Sequence, residues 1–296
     1  FKSLFNSRLF SISNFEKIIQ DGYYYVDIGA DELVECRRRG KIKTKILVGD
    51  ELEITELGGC KGVVEKILPR KTYLRRPAIA NIDQMFVIMA AQSPDPNQFL
   101  IDKILMTCEY GGIHPKLCFN KCDLDASTAQ AYCRFYTQCG YEVYLVSAKE
   151  EEGLEPIKAL LPHKMTAFAG PSGVGKSSLL SKILNRHDLS IGAVSEKIKR
   201  GRHTTRHSEI MKLEEDTYVV DTPGFSSLEF EHLDAKEIFP LFPDMAPYGG
   251  HCRFSSCLHL SEPDCPVKEA VQEGLIQKER YETYCKILAS ITERKR

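Results

Sequence analysis

The chain has 296 residues, room for about two or three domains, and its 43% hydrophobic and 27% charged residues match an ordinary soluble globular protein. A net charge of -1 gives no overall pull toward nucleic acid, so any such attraction must come from local clusters. No run of 18 or more apolar residues occurs, and a membrane-spanning helix is therefore not expected.

The opening stretch FKSLFNSRLFSISNFEKII mixes charge into its apolar residues and lacks a signal-peptide core. Because the chain starts at Phe1, a short leader ahead of it is expected. Short β-rich runs follow at 23–28, 31–36, 43–55 and 62–69, punctuated by Gly29, Gly40, Gly49, Gly58 and Gly59. Four or five short strands without a helix predict a small barrel of the OB type, with another small β-domain as the alternative. Within it, Arg37, Arg38, Arg39, Lys41, Lys43 and Lys45 crowd into ten residues. They suit a phosphate-backbone contact and equally a solvated hairpin edge.

From about 78 the pattern changes. Apolar strands at 81–92, 115–123, 141–149, 164–170 and 217–221 alternate with helices at about 97–110, 126–139 and 176–185. That rhythm predicts a parallel sheet covered by helices. After Phe230 it stops, and a Cys/His-rich stretch leads to a terminal helix expected from about Pro266 to Arg296.

Gly170, Pro171, Ser172, Gly173, Val174, Gly175, Lys176, Ser177 and Ser178 form a G-x-x-x-x-G-K-S loop between a predicted strand and a predicted helix. Glycines let backbone N–H groups converge on phosphate oxygens, and the helix N-terminus adds positive potential. Lys176 would reach the β- and γ-phosphates and the Ser177 hydroxyl would bind Mg²⁺. Asp221 and Gly224, in VVDTPG, would meet the metal's water shell and the γ-phosphate. Between these motifs lies KRGRHTTRHSE (199–209), where Thr204 or Thr205 would sense Mg²⁺ and γ-phosphate. Without a nucleotide this loop reads equally as a basic surface segment.

Asn120, Lys121, Cys122 and Asp123 spell NKCD, and Ser147, Ala148 and Lys149 spell SAK, at successive strand ends. The Asp123 carboxylate matches the N1–H and N2–H₂ edge of guanine, which adenine lacks. Asn120 and Lys121 would brace the loop, and the Ala148 N–H would meet guanine O6. A guanine nucleotide, GTP or GDP, is expected. On these residues alone a phosphate-loop enzyme of another class remains open, as does an RNA-binding module whose nucleotide site only stabilises the fold.

NKCD, SAK, GPSGVGKS, GRHTT and DTPG together resemble the circularly permuted GTPases of the RsgA type, the small-ribosomal-subunit biogenesis family, and the resemblance covers nearly the whole chain. It implies an OB-type barrel over 1–77, a permuted α/β phosphate-loop GTPase domain over 78–230 and a zinc-binding domain with a helix over 231–296. It also implies GTP hydrolysis stimulated by the small ribosomal subunit, rRNA binding and a role in late maturation of that subunit. A monomer without membrane partners is expected.

Cys252, Cys257, His259 and Cys265, spaced C-x4-C-x-H-x5-C, supply four ligands for one structural Zn²⁺. His251 is a rival ligand, and the resemblance favours His259. Of the other cysteines, Cys36, Cys60, Cys108, Cys118, Cys122, Cys133 and Cys139 lack ligand-like spacing. Cys118 and Cys133 read as small buried hydrophobes, and free thiols beside a nucleotide site fit a reducing cytoplasm. Phe225 follows the D-T-P-G glycine and cannot orient a water. The resemblance points instead to His203 as the catalytic group, against the alternative that His203 contacts rRNA or solvent beside Arg202 and Arg206.

Overall fold

A computed structural model describes residues 15–19, 22–29, 33–184, 209–214, 216–222 and 233–294. Strands β1 (Phe15–Ile19), β2 (Tyr23–Asp27), β3 (Leu33–Arg38), β4 (Leu52–Gly58) and β5 (Lys61–Ile67) form a five-stranded sheet in the order β1-β2-β3-β5-β4. Its neighbours are antiparallel except β3 and β5, which run parallel. Inward residues alternate along the strands, and Tyr24, Val26, Val34, Cys36, Leu52, Ile54 and Val64 make a shared core with Ile46. Gly62 lets two of these strands approach, since a Cβ there would stand 2.8 Å from Cys36 Sγ.

The single strand expected over 43–55 begins only at Leu52. Gly49 sits at φ 84, and the buried Asp50 carboxylate accepts the Leu47 N–H at 2.7 Å, which closes a turn where the strand would have run. Arg70 then fastens this turn to the join with the next sheet, 2.6 Å and 2.9 Å from the two Asp50 oxygens. A hairpin of β6 (Tyr73–Arg75) and β7 (Ala78–Ala80) follows.

The second sheet holds β8 (Gln84–Ala90), β9 (His114–Asn120), β10 (Glu142–Leu145), β11 (Met165–Ala169), β12 (Glu209–Glu214) and β13 (Thr217–Asp221), in the order β10-β9-β8-β11-β13-β12. All pairs are parallel except the edge hairpin β12–β13. The sequence reading missed β12, because EIMKLE carries as much charge as apolar surface and one of its edges is unpaired within the sheet. Beside it lies β1, and Lys212 of β12 pairs with Asp27 of β2 at 3.1 Å, so the two sheets touch through an ion pair.

Helices α1 (Gln98–Tyr110), α2 (Ala126–Gln138), α3 (Leu154–Lys158) and α4 (Lys176–Ile183) connect the parallel strands. Every residue of β8 is buried: Met85, Val87 and Met89 face one core, and Phe86, Ile88 and Ala90 face the other. Two covered faces explain why this strand reads as an unbroken apolar run. Asn97 and Asp125 cap α1 and α2, each side chain accepting a backbone N–H three residues on at 3.0 Å.

The C-terminal part contributes α5 (Ala235–Ile238), α6 (Pro266–Gln272) and α7 (Lys278–Arg294). The long terminal helix expected from Pro266 is thus two helices. Gly274, at φ 73, donates to Val271 O, and the N–H groups of Leu275 and Ile276 turn back to Ala270 O. That arrangement ends α6 in the manner of a glycine C-cap. Phe242, Tyr284, Ile287 and Leu288 share one core with Ile101, Ile104 and Leu105 of α1. Among the described residues no helix is long and apolar enough to cross a membrane.

Candidate nucleotide site and metal centre

The strand β11 and the helix α4 flank the loop 170–175, as the motif requires. Gly170 is forced: a Cβ there would lie 2.3 Å from Ile88 O. Gly173 and Gly175 adopt φ 86 and 85, where only glycine rests without strain. Lys176 opens α4, and its ammonium sits 2.7 Å from Asp221 Oδ1 and donates to Thr222 O at 3.2 Å. Thr222, fully buried, anchors the end of β13 by donating its hydroxyl to Phe168 O at 2.8 Å. Lys176 and Asp221 therefore meet at the C-terminal edge of adjacent parallel strands, where ligands of such sheets bind.

NKCD and SAK occupy the same edge. Asn120 ends β9, is buried, and spans two loops: its Nδ2 donates to Val174 O at 2.9 Å and its Oδ1 accepts the Ala148 N–H at 3.0 Å. A side chain at Gly175 would strike this amide, with its Cβ 2.5 Å from Asn120 Nδ2. Lys121, at φ 61, donates to Gly173 O at 2.7 Å and also to Ser93 O. Asp123 is exposed, and its Oδ1 accepts the Ser147 hydroxyl at 2.6 Å. The Cys122 N–H donates to Val146 O at 3.2 Å, joining the two loops by backbone as well. Lys149 projects into solvent beside Glu150 at 2.8 Å. The Ala148 N–H, expected to face guanine O6, here serves Asn120.

At the C-terminal end, Cys252, Cys257, His259 and Cys265 bring their ligand atoms within 4.8 Å of one another. His259 Nδ1 lies 3.5, 3.6 and 3.4 Å from the sulfurs of Cys252, Cys257 and Cys265. Cys265 Sγ lies 3.9 Å from each of the other two sulfurs. A tetrahedron around zinc has sulfur–sulfur edges of about 3.8 Å and sulfur–nitrogen edges of about 3.5 Å. The four residues fit it. Burial lowers His259 below its ordinary value, which favours the neutral imidazole a metal needs. Burial, followed by the neighbouring thiols, pushes Cys252 up to about 12, so a cation in the cluster is what would draw its proton off. Tyr281 and Tyr284 of α7 donate to His259 O and Leu258 O at 2.6 and 2.7 Å, and both Glu262 oxygens accept backbone N–H groups of Leu258 and Leu260. These contacts hold the ligand loop in place. The rival His251 is exposed and lies outside the cluster.

A family model described as RsgA GTPase matches residues 67–231. The chain belongs to the RsgA GTPase family. A protein of Clostridium botulinum (strain 657 / Type Ba4), described as small ribosomal subunit biogenesis GTPase RsgA, is 41% identical over 280 residues, 93% of this chain and 96% of that one. A namesake from Alkaliphilus metalliredigens is 42% identical over 281 residues, again 93% and 96% of the two chains. Among solved structures, YloQ, titled a circularly permuted GTPase, is similar with a TM-score of 0.79 at 34% identity, covering 98% of this chain and 97% of its own. YjeQ from Thermotoga maritima is similar with a TM-score of 0.80 at 32% identity, covering 95% and 98%. As an RsgA GTPase the chain is a GTP hydrolase.

The described residues of this RsgA GTPase thus include NKCD, SAK, the loop 170–178 and Asp221 at one sheet edge, and the Cys/His cluster that could hold a metal ion. His203, Thr204, Thr205, Gly224 and Phe225 lie outside the described residues. Sequence reasoning missed Ser93, whose carbonyl receives Lys121, since nothing in SPDP marks a contact with NKCD. It also missed a charged cluster around Arg280, because an arginine in a polar terminal helix reads as solvated.

Proposed function

We propose that this RsgA GTPase acts in late maturation of the small ribosomal subunit, binding its rRNA and hydrolysing GTP faster when the subunit is bound. The relatives from Clostridium botulinum and Alkaliphilus metalliredigens are small ribosomal subunit biogenesis GTPases, which supports the choice of the small subunit. The observation that supports guanine-nucleotide use is Asn120, whose one side chain fastens the base-reading loops to the phosphate loop at 2.9 and 3.0 Å. In this reading Asp123 selects guanine and Lys121 flanks it, while the N–H groups of the loop 170–178 and Lys176 hold the phosphates. Ser177 and Asp221, with Thr204 or Thr205, would hold Mg²⁺, which would supply charge neutralisation at the phosphates. His203 positions the attacking water, Gly224 meets the γ-phosphate, and Cys252, Cys257, His259 and Cys265 hold one structural Zn²⁺.

The proposed architecture is an OB-type barrel over 1–77, a permuted GTPase domain over 78–230 and a zinc domain over 231–296. The order β1-β2-β3-β5-β4, with β3 and β5 parallel, supports the barrel. Exposed Arg37, Arg38, Lys41, Lys43 and Lys45 on and after β3 support contact with rRNA phosphates. Such a factor works as a monomer in the cytoplasm, where subunits mature. The test is GTP turnover with and without isolated small subunits. Stimulation is expected; equal turnover in both would overturn the ribosomal reading.

A further inference from the structure

Arg280 of α7 is 1% exposed, and the groups around it come from two parts of the chain. Its guanidinium lies 2.6 Å from Asp102 Oδ1 of α1, donates to Tyr141 OH at 2.9 Å, and stands 3.2 Å from Asp244 Oδ2. It also lies over the Phe242 ring, 4.7 Å from the centroid. Tyr136, the last buried residue of α2, donates its hydroxyl to the same Asp102 oxygen at 2.8 Å. Gln277 adds a second link, 2.9 Å from Gln138 Oε1 at the end of α2. Removing one partner from such a buried set leaves another charge without compensation.

The chain path gives this cluster a relation to the base. NKCD leads directly into α2; the chain turns at 139–141, where Tyr141 N–H meets Tyr136 O at 3.0 Å, and returns along β10 into SAK. Both near ends of this helix-and-strand unit carry base-reading residues. Its far turn, between Tyr136 and Tyr141, is what Arg280 grips. Asp102 ties in α1, which follows the Ser93 loop that receives Lys121. No contact in the cluster involves the phosphate loop or β13.

We propose that Arg280 is a positioning residue for guanine recognition, fixing from the far turn of α2 and β10 the separation at which Asp123, Ser147 and Asn120 present themselves. This rests on the reading of Asp123 as the guanine selector. The C-terminal part then contributes to base selection.

Affinities for GDP and for IDP, whose base lacks the 2-amino group, test the idea in the full-length chain. Tyr141→Phe removes one hydrogen bond and keeps every charge pair; Arg280→Lys keeps the charge and loses the fork. Both are expected to lower the GDP-over-IDP preference about threefold or more, and to weaken GTP and GDP by the same factor. Metal content and melting temperature are measured alongside. Variants that fold with their metal and keep the unaltered chain's GDP-to-IDP ratio would overturn the proposal, even if they melt earlier. Should Arg280→Lys fail to fold, Tyr141→Phe alone decides. An unaltered chain without preference for GDP over IDP would refute base reading by Asp123, and the positioning role falls with it.

Discussion

The Lys176 ammonium and the Asp221 carboxylate stand 2.7 Å apart, both largely buried, at the ends of neighbouring structural units. On binding a triphosphate the ammonium would exchange this carboxylate for phosphate oxygens, releasing Asp221 toward the metal's water shell. Lys176→Ala is therefore expected to weaken GTP and GDP together by at least about tenfold, the loss of a charge-assisted contact. Asp221→Asn is expected to keep binding and lose its Mg²⁺ dependence. Nucleotide titrations with and without Mg²⁺ would reveal both; an unchanged Mg²⁺ dependence in Asp221→Asn would count against the role given to that residue.

Gly175 faces the Asn120 amide so closely that a methyl group enters only by pushing that amide aside. Gly175→Ala is expected to cost about 1–3 kcal/mol from the left-handed backbone alone. It should cost nucleotide affinity as well, because the displaced Asn120 loosens both base loops. Urea unfolding and nucleotide binding measured on the same variant would show it; full affinity would mean that Asn120 is not the brace.

Base selection has a direct check. Asp123→Asn is expected to reduce GTP binding and to restore it with xanthosine triphosphate, whose base offers an acceptor where guanine offers a donor. Ser147→Ala removes the 2.6 Å hydrogen bond that orients Asp123. It should produce a milder loss, about 1 kcal/mol, or roughly fivefold in affinity. If xanthosine triphosphate gives no rescue, Asp123 does not read the base.

The metal cluster predicts one zinc per chain. Cys257→Ser is expected to abolish it, and the region from 252 to 265 should lose hydrogen-exchange protection, since Tyr281 and Tyr284 then hold a loop with no centre. Elemental analysis with exchange mass spectrometry would decide; a full metal complement in this variant would contradict the ligand set.

Helix α2 supplies a pH test. The Thr128 N–H, followed by the Ser127 and Thr128 hydroxyls, holds the Asp125 carboxyl down at about 2. A depressed value means stabilisation that is present above the ordinary carboxylate value of about 3.9 and is lost as pH falls toward 2. Asp125→Ala should lower the melting temperature at pH 7, and its difference from the unaltered chain should shrink below pH 4. A pH-independent difference would show that the charge is not what caps the helix.

Much of the site was legible because it is built from local signals. The phosphate loop, NKCD, SAK and the Cys/His cluster each depend on short spacing that fixes residue type and place. Strand and helix assignments around them hold to within a few residues, since buried parallel strands such as β8 leave a long apolar run. What escaped depends on distant contacts. Nothing near EIMKLE shows that it will pair antiparallel with β13. Nothing near Gly49 shows that Ala80 O will lie where its side chain would have been. Arg280 escaped for the same reason: its partners are 36 to 178 residues away, and only the folded chain brings an arginine and two aspartates into one dry space.

The interruption at Gly274 sets a limit on how this chain can change. Segments joining strands usually accept an added residue at little cost. Between Gln272 and Lys278 the phase of α7 is fixed, because one face carries Tyr281 and Tyr284 toward the Cys/His loop and Arg280 toward Asp102 and Tyr141. One residue more or fewer would rotate the helix by about 100° and turn both sets of contacts away together. The short turn behaves as a gauge of length, and its tolerance to insertion should be among the lowest of any surface turn in the protein.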